Sequence, residues 1–184
     1  AAVVLDAIRQ RLGETPALRL TSISNLPYSA GTPFVANLFA TDLPWERGVF
    51  LLQQEVVERL AATAGSSAYG SLAISAALGG RVRLDRPVPP EVFWPRPRVT
   101  SAIAVVEFLP VAERGAIPWD ALRRVVQAAF SSRRKTMRNA LAKLVSPTQA
   151  EALLRELAID PSARGETLTP ERFLALARAI GRMA

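Results

Sequence analysis

Residues 18–34 read LRLTSISNLPYSAGTPF, and this stretch decides the fold class. Leu18–Ser24 alternates apolar and short polar side chains, a pattern that predicts a β-strand. The strand leads directly into NLPY at residues 25–28, and a helical pattern then begins at Thr32-Pro33, since proline is tolerated in a first turn. A strand joined through a polar turn to a helix is the basic unit of an α/β fold.

The chain that follows continues this alternation of strands and helices. Gly48–Leu52 is a continuous apolar run, which is typical of a buried strand of the parallel type. Helices are predicted over Glu55–Ala62 and Tyr69–Leu78, and strands over Arg81–Val88 and Thr100–Leu109. The order of these elements predicts an α/β layer fold.

The pattern changes after Pro110, where helical periodicity replaces the alternation. Predicted helices cover Trp119–Phe130, Lys135–Val145, Thr148–Leu157 and Pro170–Arg182. We therefore predict two domains. Residues 1–112 form part of an α/β domain, and residues 113–184 form a small all-helical domain.

The first residues lack a feature that ligand-binding α/β folds normally carry. Such folds begin with a strand, a glycine-rich turn and a helix that hold a nucleotide-like ligand, and no such turn precedes NLPY. Residues 1–12 instead predict an amphipathic helix, and the sequence does not begin with methionine. We expect this chain to be the later part of a longer protein.

Composition restricts the chemistry that the protein can perform. The 184 residues include no cysteine and no histidine, which excludes disulfides, thiolate nucleophiles, Cys/His zinc sites and imidazole catalysis. No metal site is expected. The longest apolar run is too short for a transmembrane helix, so no membrane association is expected either.

The net charge of +7 is concentrated in the last part of the chain. Residues 1–114 carry 11 basic and 10 acidic residues, whereas residues 115–184 carry 12 and 6. Concentrated positive charge indicates a polyanionic partner, with nucleic acid as the first candidate. A basic surface that is merely solvated would have the same composition.

NLPY is the first candidate site. Ligands of open α/β sheets bind at the carboxyl ends of strands, where Asn25 offers both an acceptor and a donor. Pro27 has no N–H and biases Leu26 towards an extended conformation, so carbonyls of this segment could point towards a ligand. Tyr28 adds a flat face. This set suits a purine with an exocyclic amine, although an ordinary turn that closes a strand remains an alternative.

Two further segments could bind a nucleic acid. In VFWPRPRV, residues 92–99, prolines hold Phe93 where it could stack on a flat ligand, with Trp94 as a weaker candidate. The alternative for Phe93 is a hydrophobic plug beneath a loop. Ser131–Lys143 carries five basic residues and no acidic one, and helical spacing would place Arg134 and Arg138 one turn apart, either as a phosphate-binding ridge or as a solvated face.

Five motifs together resemble a known family. NLPYSAGTP, FLLQQEVVERL, AYGSLAI, VFWPRPRVTSAI and SSRRKTMRNAL occur in this order over nearly the whole chain. They resemble the rRNA adenine N6-dimethyltransferases, which use S-adenosylmethionine to modify two adjacent adenines near the 3′ end of small-subunit rRNA. The resemblance implies the later half of a Rossmann-like methyltransferase sheet followed by a helical RNA-contacting domain.

The resemblance also implies roles for individual residues. The catalytic positions are Asn25, Leu26, Pro27, Tyr28 and the base-stacking Phe93, and Asn25 also lies at the junction with the cofactor. From their charge, the predicted RNA-binding positions are Arg133, Arg134, Lys135, Arg138 and Lys143, with Arg96 and Arg98. Gln54, Trp94, Arg96 and Thr100 depart from the residues usual in the family, which affects contacts at the rim of the site.

The chemistry of adenine agrees with this assignment. Its exocyclic nitrogen is a weak nucleophile because the lone pair is delocalised into the ring. Hydrogen bonds from its two N–H groups to the Asn25 side chain and the Pro27 carbonyl would make it more nucleophilic, and orientation of this kind can supply up to ~7–11 kcal/mol of a barrier. Tyr28 and Phe93 would replace the stacking neighbours that a flipped adenine loses.

The expected partner is small-subunit rRNA within a pre-30S particle, bound by a cytoplasmic monomer. A purified protein of these 184 residues alone is expected to be inactive, because most of the cofactor pocket is not in the sequence. One alternative is a non-catalytic rRNA-binding or ribosome-assembly module, which the codons before Ala1 would distinguish. The other is a large-subunit rRNA adenine methyltransferase, against which the helical tail argues.

Overall fold

The structure is a computed structural model that describes residues 10–11, 19–132 and 134–183. Gln10 and Arg11 are helical, and the remainder of the helix predicted over residues 1–12 falls almost entirely outside the described residues. Arg133 also lies outside them.

The described chain alternates strands and helices before it becomes helical. The first part contains β1 (Leu20–Asn25), α1 (Tyr28–Phe39), β2 (Trp45–Gln53), α2 (Gln54–Leu60), α3 (Ser71–Gly79), β3 (Gly80–Val88) and β4 (Ser101–Phe108). The second part contains α4 (Val111–Gly115), α5 (Trp119–Phe130), α6 (Met137–Leu141), α7 (Pro147–Glu156) and α8 (Pro170–Gly181). The predicted α/β class with a helical C-terminal part is confirmed.

The four described strands form one mixed sheet in the order β1-β2-β4-β3. β1 and β2 are parallel, and β4 pairs in the antiparallel sense with both β2 and β3. Three strands therefore run in one direction, and one reversed strand is inserted between two of them. As a result, the carboxyl ends of β1, β2 and β3 and the amino end of β4 lie at the same edge of the sheet.

Helix α1 begins earlier than its sequence pattern indicated. It begins at Tyr28 rather than at Thr32-Pro33, and Pro33 lies inside it. The reason is that the Pro27 carbonyl already accepts hydrogen bonds from the backbone N–H groups of Ala30 and Gly31, each at 2.9 Å. The first helical turn thus follows directly from NLPY.

Helix α6 is shorter than the predicted helix over Lys135–Val145. Thr136 is its N-cap, and the Thr136 side chain accepts a hydrogen bond from the Asn139 N–H at 3.4 Å. The Met137 N–H donates to the Ala163 carbonyl at 2.8 Å, so the helix start is held by a distant segment. Arg134 therefore precedes the helix, and the prediction that Arg134 and Arg138 lie one turn apart on it is wrong.

Two clusters of buried apolar side chains meet on α3. Leu72 and Ala76 of this helix pack into the core beneath the sheet, whereas Ala73, Ile74 and Leu78 pack into the core of the C-terminal helices. The Trp119 side chain packs against both cores. A domain boundary between residues 112 and 113 remains a prediction, because α3 belongs to both cores.

Arg114 of α4 is fully buried at the base of this junction. Its guanidinium donates hydrogen bonds to four backbone carbonyls, those of Leu109, Leu38, Thr41 and Leu43, at 2.8, 3.4, 2.7 and 2.6 Å. Burial lowers the pKa of Arg114, and attraction by Asp42 partly opposes this shift. Arg114 therefore ties the segment after α1 to the segment after β4.

Candidate functional site

Candidate side chains converge at the carboxyl edge of the sheet. Asn25 is the last residue of β1 and pairs with Leu51 of β2. One strand further, Ser101 at the start of β4 pairs with Gln53 on one side and with Val88 on the other. The strand ends therefore place Asn25 and Ser101 at the same edge of the sheet, which is the edge where open α/β sheets bind ligands.

The NLPY segment forms the start of α1 at this edge. The Asn25 side chain is exposed and has no hydrogen-bonding partner among the residues that the structure describes. The Leu26 N–H donates to the Leu51 carbonyl at 3.4 Å, which extends the strand pairing by one residue. Within the described part of the chain, the Asn25 amide is therefore unoccupied beside the first turn of a helix.

The Pro27 carbonyl is already a hydrogen-bond acceptor within α1. It accepts from the N–H groups of Ala30 and Gly31 within the first turn of α1. The expectation that this carbonyl also binds the adenine amine stays a prediction, and its two lone pairs already serve the helix. Pro27 lacks an N–H but has the backbone conformation of a residue that initiates a helix, with φ −55° and ψ 137°.

Tyr28 is held by a serine that the sequence analysis did not identify. The Tyr28 hydroxyl and the Ser101 hydroxyl lie 2.7 Å apart, in hydrogen-bonding distance. Ser101 is fully buried, whereas 37% of the Tyr28 surface is exposed. The contact fixes the phenol end of the ring and leaves one part of it open to a ligand. In the sequence, Ser101 was only one residue of the VFWPRPRVTSAI motif.

Gly31 brings α1 close to the sheet. A Cβ atom at this position would lie 2.6 Å from the Leu52 Cδ2 atom, so a larger residue would require the buried Leu52 side chain or the first turn of α1 to shift. The motif NLPYSAG thus contains both the exposed amide and the glycine that lets the helix carrying Tyr28 pack tightly.

Phe93 lies in the segment that connects two strand ends at this edge. The segment begins after Val88 of β3 and returns to Ser101 of β4. A short 3-10 turn at Pro90–Val92 precedes Phe93, whose N–H donates to the Pro90 carbonyl at 3.2 Å. Phe93 is half-buried, whereas Trp94 is 97% exposed. The sheet topology thus brings the Phe93 segment to the edge that carries NLPY.

The basic residues of Ser131–Lys143 differ in their surroundings. Arg134 and Lys135 are exposed in the turn before α6. Arg138 pairs with Glu151 of α7 at 3.2 Å, and the Lys143 Nζ atom donates to the Ser131 hydroxyl at 3.0 Å. These two side chains therefore have structural partners in addition to the role predicted for them.

The structure adds Arg164 to this basic region. Thr136 forms an isolated antiparallel bridge with Arg164, so the exposed Arg164 lies beside the turn that carries Arg134 and Lys135. The two segments are far apart in sequence, and an isolated arginine carries no local signal. We define the basic patch as Arg134, Lys135 and Arg164.

Two other features of the described residues bear on the site. No group of three acidic side chains among them could hold a metal ion. A pocket with a volume of about 220 Å³ lies between α1, α3 and α5, and none of the NLPY residues lines it. In addition, none of the described helices is both long and apolar enough to cross a membrane.

Two solved structures share the fold class of this chain. The structure resembles a dimethyladenosine transferase from Plasmodium falciparum, with a TM-score of 0.77 and 22% identity over 88% of this chain and 66% of that one. It also resembles the 23S rRNA methyltransferase ErmE, with a TM-score of 0.59 and 16% identity over 98% of this chain and 79% of that one. The fold is therefore Rossmann-like.

Sequence comparison identifies the family within this class. Residues 10–181 match the sequence model of the family described as ribosomal RNA adenine dimethylase. The chain belongs to this family, which confirms the resemblance drawn from its motifs.

Relatives from several bacteria align with most of the chain. It is 43% identical over 171 residues to the ribosomal RNA small subunit methyltransferase A of Anaeromyxobacter sp. (strain K), covering 92% of this chain and 59% of that protein. It is 40% identical over 181 residues to the protein of that name from Nocardia farcinica (strain IFM 10152), covering 94% and 60%. The chain thus spans about three fifths of the length of these relatives.

Proposed function

We propose that this protein transfers methyl groups from S-adenosylmethionine to the exocyclic N6 atom of adenine in ribosomal RNA. The observation that carries the proposal is the position of NLPY. In a chain of the ribosomal RNA adenine dimethylase family, an Asn25 amide with no partner among the described residues and a Tyr28 ring held by Ser101 lie at the carboxyl edge of the sheet.

Asn25 and Leu26 are the residues proposed to bind the adenine amine. The Asn25 side-chain oxygen can accept one N6–H group, because the amide is exposed and without a partner among the described residues. Since the Pro27 carbonyl is used by the helix, the preceding Leu26 carbonyl becomes the candidate for the second N6–H group. Two such hydrogen bonds hold the N6 atom in a pyramidal geometry with its lone pair directed outwards.

Tyr28 and Phe93 are proposed to hold the two faces of the adenine ring. A flipped base loses its stacking neighbours, and aromatic side chains restore about 1–3 kcal/mol per base. Tyr28 reaches the edge from α1, and Phe93 reaches it from the segment between β3 and β4. α1 follows β1 on one side of the reversed strand β4, and the Phe93 segment leaves β3 on the other side, which suits a base held between them.

Among the described residues, Asn25 has the chemistry needed to contact S-adenosylmethionine where it meets the substrate. S-adenosylmethionine supplies a methyl group on a positively charged sulfur, which an amine can attack without a strong base. Asn25 ends β1 with an amide that can donate as well as accept, so it is the described residue proposed to lie between cofactor and substrate. Methyl transfer then depends on alignment of N6, for which the chain needs no histidine.

The proposed substrate is a pair of adjacent adenines near the 3′ end of small-subunit rRNA in a pre-30S particle, modified by a cytoplasmic monomer. The proteins of Anaeromyxobacter and Nocardia to which the chain is 40–43% identical are named small-subunit methyltransferases, which supports this choice. A large-subunit substrate is the second candidate, because the fold also resembles that of ErmE.

A methylation assay tests the proposal and separates the two substrates. The full-length gene product is incubated with labelled S-adenosylmethionine and with small or large ribosomal subunits that lack adenine methylation. We expect dimethyladenosine in digests of the small-subunit rRNA alone. Label in the large-subunit rRNA would contradict the choice of substrate, and label in neither would contradict the enzymatic function.

The basic patch is expected to contribute to RNA affinity through phosphate contacts. Replacing both Arg134 and Lys135 with alanine should raise the Kd for rRNA about tenfold at moderate salt. It should also flatten the dependence of log K on log salt by about 1.5, since each phosphate contact contributes roughly 0.7–0.9. Arg178→Ala, which removes an exposed arginine of α8, is the matched control. An unchanged salt dependence in the double variant would show that the patch does not contact phosphates.

The hydrogen bond between Ser101 and Tyr28 is expected to support catalysis by fixing the tyrosine ring. Ser101→Ala should lower kcat about fivefold, because one neutral hydrogen bond contributes about 1 kcal/mol. Tyr28→Phe should have a similar effect, and the double variant should be no worse than either single one. Fully additive effects would show that the two hydroxyls act independently. RNA affinity should remain unchanged in the Ser101 variant.

A further inference from the structure

Trp94 is the most exposed large apolar side chain among the described residues. Its indole is 97% exposed. In the chain it lies between Phe93, which is half-buried, and Pro95, which is exposed. Tryptophan is on average a strongly buried residue type, and it is enriched where one molecule binds another. The almost fully exposed indole of Trp94 is therefore a candidate for binding a ligand.

The segment around Trp94 restricts its motion. Proline occupies positions 89, 90, 95 and 97, on both sides of the indole, and each proline ring limits its own φ angle. An ion pair between Glu91 and Arg96 links the two sides of Trp94. Because the prolines restrict the backbone, binding to Trp94 loses little backbone conformational entropy.

Trp94 cannot share a base with Phe93. The backbone at Phe93 is extended, with φ −111° and ψ 145°, and successive side chains of an extended chain point to opposite sides. The exposures agree, since Phe93 is half-buried and Trp94 projects into solvent. If Phe93 covers one face of the target adenine, the indole faces away from that adenine.

The charge around Trp94 favours a polyanion. Arg96 and Arg98 follow the indole within four residues, and both are exposed. Arg96 pairs with Glu91, whereas Arg98 has no ion pair with any residue that the structure describes. An exposed aromatic face with an exposed arginine four residues further along is a combination that suits single-stranded nucleic acid, with the ring against a base and the cation against a phosphate.

We propose that Trp94 binds a second RNA base by stacking, outside the adenine pocket and next to the target nucleotide. The proposal rests on the proposed function in one respect, namely that the ligand is RNA. Phe93 and Trp94 then contact two different bases, one flipped into the pocket and one held at its rim. Arg98 binds the phosphate that accompanies the second base.

Binding measurements with matched variants test this proposal. The probe is a single-stranded RNA oligonucleotide with two adjacent adenines at its centre, titrated into the full-length gene product. Trp94→Ala should raise its Kd by about 5- to 100-fold, the range that corresponds to loss of one stacking contact. Trp94→Phe should stay within about threefold of the unchanged protein, because a phenyl ring still stacks. Val92→Ala, at a 64% exposed aliphatic residue of the same segment, is the control and should bind normally.

A second measurement locates the stacked base. RNA should quench a component of the tryptophan fluorescence that Trp94→Phe removes. An abasic site is placed directly 5′ of the adenine pair in one oligonucleotide and directly 3′ of it in another. The quenching should disappear in one of the two, and it should persist when the abasic site lies several nucleotides away.

Two results would overturn the proposal. One is a Trp94→Ala variant that binds the oligonucleotide within twofold of the unchanged protein, with the same quenching. The other is normal binding of the oligonucleotide together with weaker binding of intact subunits, which would assign Trp94 to a protein contact. Because neither measurement requires methyl transfer, a protein that shows the quenching but methylates no adenine would contradict the proposed function and leave the role of Trp94 standing.

Discussion

Asn25→Ala is expected to lower the rate of methyl transfer by about 10²–10³-fold, the range found when a single well-placed hydrogen-bonding group is removed from a reacting centre. The alanine variant cannot accept the N6–H group, so the adenine lone pair remains delocalised and the nitrogen is no longer aligned. Because Asn25 is an exposed residue at the end of β1, its loss should leave the fold intact. The rate is measured by single turnover with a saturating concentration of small subunits.

The matched control for this variant is Thr21→Ala. Thr21 lies on the same strand four residues earlier, and its exposed side chain shares a face of the sheet with Asn25. We expect this control to methylate at the normal rate, and both variants to bind rRNA with unchanged Kd. A rate for Asn25→Ala within about fivefold of normal would be incompatible with the role proposed for the amide.

Arg114→Met is expected to lower the free energy of unfolding by about 3 kcal/mol, a large change for a single substitution. All four carbonyls would lose the guanidinium. Those of Leu38 and Leu43 would still accept from the Thr41 and Trp45 N–H groups, whereas for those of Leu109 and Thr41 the structure shows no second donor among the described residues. Leu109 and Thr41 are partly buried, and a buried carbonyl left without a partner costs about 1–3 kcal/mol. Removal of a buried charge offsets part of this loss, since burial already lowers the pKa of Arg114.

Urea denaturation followed by circular dichroism measures this effect. Arg114→Lys should lie between methionine and the natural residue, because an ammonium group cannot reach all four carbonyls at once. Arg123→Met is the control, since Arg123 is exposed and its ion pair with Asp120 is also at the surface. We expect the control to change stability by less than about 0.5 kcal/mol. A loss below 1 kcal/mol for Arg114→Met would show that the buried bonds contribute little.

Much of the fold was predictable because its signals are local. The alternation of strands and helices in the first part and the helical periodicity after Pro110 both follow from side-chain spacing within single elements. One boundary error came from local hydrogen bonding at Pro27, and the other from a contact with a distant segment. Pro27 initiates α1 earlier than Pro33 indicated, and Thr136 together with Ala163 shortens α6.

The sequence by itself determined the α/β class, the family and the NLPY position of the candidate site, because these depend on residue order and short motifs. Only the tertiary structure revealed that Ser101 contacts Tyr28 across 73 residues, that Arg164 adjoins the basic turn and that Arg114 joins two chain segments. It also showed that the Pro27 carbonyl belongs to the helix, which transfers the proposed acceptor role to Leu26. Such partners are chosen by packing between distant segments, and no local pattern of side chains encodes them.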